Sequence, residues 1–111
     1  MTVAELGKTL ECEILCGSDE TLAREIGGAY CGDLLSWVMG NAEPDSAWVT
    51  IMPNVNVAAV AALTDVACVI LAEGVKPDGV LSERASKEEL PLLASPLSAY
   101  ELCWRIKAAL T

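Results

Sequence analysis

The 111-residue chain offers few side chains that could do chemistry, and histidine is not among them. A Ser/His/Asp triad and a Cys/His dyad are therefore both out of reach. Five cysteines stand at Cys12, Cys16, Cys31, Cys68 and Cys103. A metal site needs ligands at compact spacing, usually as two pairs. Cys12 and Cys16 make one loose pair, and no histidine completes it. Cys68 lies in an apolar run and Cys103 on a C-terminal helix, so both read as core; Cys31, beside Gly32, reads as the exposed thiol. Glu83, Glu88 and Glu89 read as a solvated helix face. Asp65 and Glu73 fall near strand ends, where paired carboxylates do acid–base work only at suitable separation and with shifted pKa values. The expectation is no catalytic residue, no metal and no cofactor.

Binding chemistry is better represented. The stretch "WVTIMPNVNVAAVAAL" reads as a buried strand that turns into a helix at Asn54. Helix N-termini carry free N–H groups that attract anions or carbonyls, and asparagine adds a donor and an acceptor. Asn54 with the amides of Val55 and Asn56 is thus a candidate cradle; the plainer reading is a helix cap. In "GGAYCGDLLSWVMGNA", Gly27, Gly28 and Gly32 allow close backbone approach, with Asp33 and Asn41 orienting a ligand, or else they are tight turns around a short helix. Neither a P-loop nor the G-x-G-x-x-G pattern is present. Gly74 would permit close approach after the next strand, and Ser95 and Ser98 would add hydroxyls before the last helix. Trp37 and Met39 follow a polar turn on a short helix and are candidate interface residues, since aromatics serve cores and interfaces alike.

The bulk properties narrow the partners. Sixteen acids against seven bases give a formal charge of −9, which repels phosphate backbones and anionic lipid. Nucleic acid and membrane are therefore not expected partners. The N-terminus shows no signal-peptide pattern and no apolar run approaches the roughly 20 residues of a spanning helix, so the expected location is the cytoplasm. The chain is 53% hydrophobic, with no phenylalanine; one aliphatic core fits one domain of this length.

These residues must be held by elements, and the pattern supplies them. "TVAE" is a capping box opening a helix to about Leu10. "ECEILCG" reads as a strand, and "SDETLAREI" as a turn followed by a short strand or extended segment. Asp33 is expected to cap the helix "LLSWVMG", with Gly40 and Asn41 as a left-handed stop. "AWVTIM", the nearly continuous apolar "ACVILAEG" and "LPLLAS" read as strands, interleaved with helices from Asn54, within "KPDGVLSERASKEE" and within "PLSAYELCWRIKAAL". The last helix has Leu97, Tyr100, Leu102, Trp104, Ile106 and Leu110 as its apolar face. The expected fold is α/β: a single three-layer domain with a mostly parallel central sheet of four or five strands and flanking helices.

The order "GAYCGDLLSWVMGNA", "AWVTIMPNVNVAAVAAL", "ACVILAEGVKPD" and "LPLLASPLSAYEL" resembles the DRTGG domain family over residues 1–111. The family's name-giving Asp-Arg aligns with Pro53 and Asn54, and its Thr-Gly-Gly with Ala72, Glu73 and Gly74, so only Gly74 is shared. The resemblance implies a non-catalytic regulatory α/β module, similar to the N-terminal domain of HPr kinase/phosphorylase, and commonly a dimer. The expected function is a regulatory or ligand-sensing homodimer. It would bind a small anionic metabolite or a partner protein near the strand C-terminal ends through Asp33, Asn41, Asn54, Val55, Asn56, Gly74, Ser95 and Ser98. The alternative is a scaffolding accessory protein of a multi-subunit redox or metabolic system, with Trp37 and Met39 buried between chains. An enzyme is the third possibility.

Overall fold

Four helix starts along the chain are written in side-chain caps at Thr2, Ser18, Asp78 and Ser98. A computed structural model describes residues Met1 to Thr111. Thr2 and Glu5 close the expected capping box on α1 (Val3–Thr9), with Glu5 N donating to Thr2 Oγ1 at 3.1 Å. Strand β1 (Glu13–Cys16) follows. The next segment departs from expectation. Ser18 and Thr21 form a second capping box, so "DETL" becomes the one-turn helix α2 (Asp19–Leu22), not a strand. A polar Ser-x-x-Thr can satisfy a helix start even where no apolar period marks it.

The glycine-rich connection departs further. Gly28–Cys31 is strand β2, paired in parallel with β3 (Ser46–Thr50). Gly27, Gly28 and Gly32 are not left-handed, and the fully buried β3 dictates the pairing. Helix α3 (Leu35–Asn41) starts at Leu34 with no side-chain cap. Asp33 instead accepts from Thr50 Oγ1 at 2.8 Å and Ile51 N at 2.9 Å, tying the end of β2 to the end of β3. Gly40 and Asn41 do not stop α3 in a left-handed turn: both are helical, the chain leaves through extended Ala42, and Asn41 Nδ2 donates to Trp37 O.

The remaining elements are α4 (Asn56–Thr64), β4 (Cys68–Leu71), α5 (Gly79–Lys87), β5 (Leu92–Ala94) and α6 (Ala99–Leu110). The sheet order is β1-β5-β4-β3-β2, with β2 to β5 mutually parallel and β1 antiparallel to β5. Each parallel step is a crossover of the same hand, so α3, α4 and α5 share one face, and α1 and α6 cover the other. One core cluster joins α1 and α6 to the sheet through Val3, Leu6, Val49, Ile70, Leu102 and Ile106. The other joins α3, α4 and α5 through Val38, Trp48, Val57, Val60, Val69 and Leu81. The result is the expected three-layer domain, with five strands.

On α6 the inward stripe is narrower than expected. Leu102 and Ile106 are buried, but Tyr100 is 80% exposed and Trp104 is also exposed, because they lie off the stripe that faces the sheet. Cys103 is half-buried rather than core. No helix is long and apolar enough to cross a membrane.

Candidate functional site

The C-terminal ends of β2 to β5 share one rim of the sheet, and a single turn organises it. Glu73 and Gly74, just past β4, both have left-handed backbones, with φ of 62° and 72°. Glu73 N donates to Leu97 O at 2.8 Å, and Gly74 N to Ser95 O at 3.0 Å. The Glu73 carboxylate reaches the start of α6, where Ala99 N donates to its Oε2 at 3.1 Å. Ser98 caps the same helix by accepting from Glu101 N. Buried Ser95 accepts from Leu97 N at 3.1 Å. A negative carboxylate at a helix start is favourable on charge as well as hydrogen bonding.

Beside this turn lies an open cavity of about 250 Å³, lined by Glu11, Glu13, Gly74, Val75, Lys76, Ala94, Ser95 and Pro96. It brings together two of the sequence-derived site residues, Gly74 and Ser95. Lys76, a cation on this acidic chain, was not among them; its position one turn beyond the end of β4 was the available signal.

The other expected residues are dispersed along the rim. Asn54 is half-buried, and its Oδ1 accepts from Asn56 N at 3.0 Å. That bond makes Asn54 the local cap of the turn leading into α4 and occupies the Asn56 amide. Val55 is the N-cap residue. Asp33 is engaged with Thr50 and Ile51, and Asn41 lies exposed on α3. Ser98 is committed to capping α6. Trp37 is 63% exposed and Met39 is also exposed, both on α3. No three histidine, cysteine or carboxylate groups converge as a metal site would require.

Known proteins give a consistent picture of this architecture. The family model described as the DRTGG domain matches residues 5–109. This chain belongs to the DRTGG domain family. A solved structure with the same fold is the CBS and DRTGG domains of the regulatory region of Clostridium perfringens pyrophosphatase, complexed with activator, diadenosine tetraphosphate. That match has 12% identity and a TM-score of 0.69, and covers 95% of this chain. It spans 45% of the pyrophosphatase chain, so this DRTGG domain corresponds to under half of that molecule. No curated protein sequence matches. Pro53–Asn54 and Ala72–Gly74 follow β3 and β4 at the rim, and Asp78 N donates to Pro53 O at 3.0 Å between them.

A second concavity in this DRTGG domain was not anticipated. About 470 Å³ opens between β2 and the C-terminal half of α6, lined by Ala29, Cys31, Val49, Cys103, Ile106, Lys107 and neighbours. Cys31 is exposed as expected, yet desolvation in the groove pushes its thiol up to about 11, helped by Cys103 and Asp33. The spacing of Cys103, Ile106–Lys107 and Leu110 was the legible sign of a helix face. What hid the groove was the reading of Gly28–Cys31 as a connection rather than an edge strand.

Proposed function

We propose that this DRTGG domain is a non-catalytic regulatory module of the cytoplasm, acting as a homodimer that senses a small anionic metabolite at the sheet's C-terminal rim. Family membership supports the regulatory part. The related regulatory region that binds a nucleotide activator supports the class of ligand. The observation that carries the reading is mechanical. Gly74 of the turn lines a cavity with Lys76, while Glu73 beside it holds the N-terminus of α6. A ligand that pulls on this turn changes the seating of α6, and α6 also forms one wall of the groove beside β2. Asn54, with the Val55 amide and its own unused carboxamide N–H, extends the binding rim; Asp33 and Asn41 flank it.

Thermal unfolding with diadenosine tetraphosphate, mononucleotides and pyrophosphate as probes tests this. A binder at 100 times its Kd should add about 2.7 kcal/mol of stability. Lys76→Ala should remove the shift if the cavity is the site, and Asn54→Ala should remove it if the α4 start takes the anion. If none of the anions moves the midpoint, the sensing reading fails. The exposure of Trp37 and Met39 then favours a second reading, in which α3 docks the domain as an accessory subunit.

A further inference from the structure

The two edges of the sheet are built differently. At β1 the ladder is broken by a bulge between Ile14 and Cys16, Glu13 opens the strand, and Cys16 lies against Ser82 and Ser86 of α5. Bulges, charges and covering helices are the usual ways of blunting an edge. At β2 the bulge and the charge are both missing. Residues 27–32 read Gly-Gly-Ala-Tyr-Cys-Gly, without a charge, a proline or a bulge. Gly32 N donates inward to Val49 O at 3.1 Å. Successive residues of a strand turn their backbone groups to opposite edges. The N–H and C=O groups of Ala29 and Cys31 therefore point outward from the last strand of the sheet.

The glycines add a second line of argument. Glycine within a strand is unfavourable, and it marks sites where another backbone approaches closely. Nothing inside the monomer asks for Gly28. Its backbone is not left-handed, and an added Cβ would meet no atom within 4 Å. Gly32 differs, because a Cβ there would lie 3.1 Å from the Tyr30 ring, which leans over it.

We infer that β2 pairs with β2 of a second copy, antiparallel about a twofold axis at Tyr30, joining the two sheets into one. This rests on the homodimer of the proposed function and assigns its interface. In that register Ala29 lies opposite Cys31 of the other copy, and the two exchange both backbone hydrogen bonds, once on each side of the axis. The edge is thus complementary to itself, as an isologous contact must be. Tyr30 meets its own counterpart at a close, non-hydrogen-bonded position. Gly28 lies opposite Gly32 of the other copy, so the empty space over Gly28 adjoins the tyrosine ring that covers that Gly32. The segment that leaves β2 carries exposed Leu34, just ahead of α3, and exposed Trp37 on α3.

The test is sedimentation velocity of the full chain over a concentration series, with circular dichroism as the folding control. Ala29→Pro removes an outward N–H on each side of the axis while leaving the ladder to β3 intact. Gly28→Val fills the open space with a residue suited to strands. Each should weaken dimerisation about tenfold or more with an unchanged fold. In the wild-type dimer the amides of Ala29 and Cys31 should be protected from hydrogen exchange. If Ala29→Pro fails to fold, Gly28→Val and the exchange pattern decide. Dimers that persist in the folded variants, or freely exchanging Ala29 and Cys31 amides, place the interface elsewhere and overturn the inference while the homodimer stands. A wild-type chain that stays monomeric throughout overturns both.

Discussion

Single residues here are tuned mostly by burial. Cys68, central in β4, is wholly buried, and desolvation is the first cause pushing its thiol up to about 12 from an ordinary 9.0. The native state thus holds this proton where the unfolded chain releases it. Because the folded pKa is raised, the associated stability is complete below about pH 9 and drains away as pH rises toward the folded value. Between those limits the loss is about 1.4 kcal/mol per pH unit. The informative quantity is a difference between two chains that share every other titratable group. Urea unfolding at pH 8.5 and 10 should show a steeper alkaline loss for wild type than for Cys68→Ala, even though the variant starts less stable through its cavity. Equal slopes would show that the Cys68 thiol does not titrate differently in the two states.

Among elements, the N-terminal end of the sheet depends on a clamp that periodicity does not reveal. Asp45 before β3 and Asp65 before β4 are both left-handed, with φ of 65° and 58°. Arg24 holds both, donating to Asp45 Oδ1 through Nε at 2.8 Å and to Asp65 O through Nη2 at 2.7 Å, with Asp65 Oδ1 at 3.1 Å from Nη1. Arg24→Ala should cost about 1–3 kcal/mol in urea unfolding, because carbonyl and carboxylate partners lose their donor together. Arg105→Ala, whose carboxylate partner is the exposed helical neighbour Glu101 at 3.3 Å, should stay within about 0.5 kcal/mol. Comparable losses would reduce Arg24 to another surface pair. The same contrast explains what the sequence made legible. β3, β4, α5 and α6 announce themselves through local period and caps, and so does the parallel core. β2 takes its identity from a partner strand far along the chain, and α2 from a four-residue capping box, so composition misread both. Asn54 was legible as a turn-forming residue ahead of α4 because its bond to Asn56 N spans two residues, but the N-cap itself is Val55, with no side-chain cap. The meeting of Gly74, Lys76 and Ser95 depends on β4 and β5 lying side by side, and no local pattern encodes that.

At the scale of the whole molecule the governing quantity is charge. A formal −9 is carried on a body 33 × 29 × 25 Å across, so two copies repel one another over distances where low salt screens little. The Debye length shrinks from about 30 Å at 0.01 M salt to about 8 Å at 0.15 M. An interface held by ion pairs would weaken along that series, since screening acts on its attractions too. A pairing through residues 27–32 contains no charge to lose, and the only electrostatic term left is repulsion between the two bodies. Sedimentation of the wild-type chain from 0.01 to 0.15 M sodium chloride should therefore show the dissociation constant falling by about tenfold or more. Placing the one uncharged edge of an acidic domain against its own copy lets the acids stay apart on the outer surfaces. An affinity that drops with added salt would mean that opposite charges meet across the contact, and residues 27–32 contain none that could.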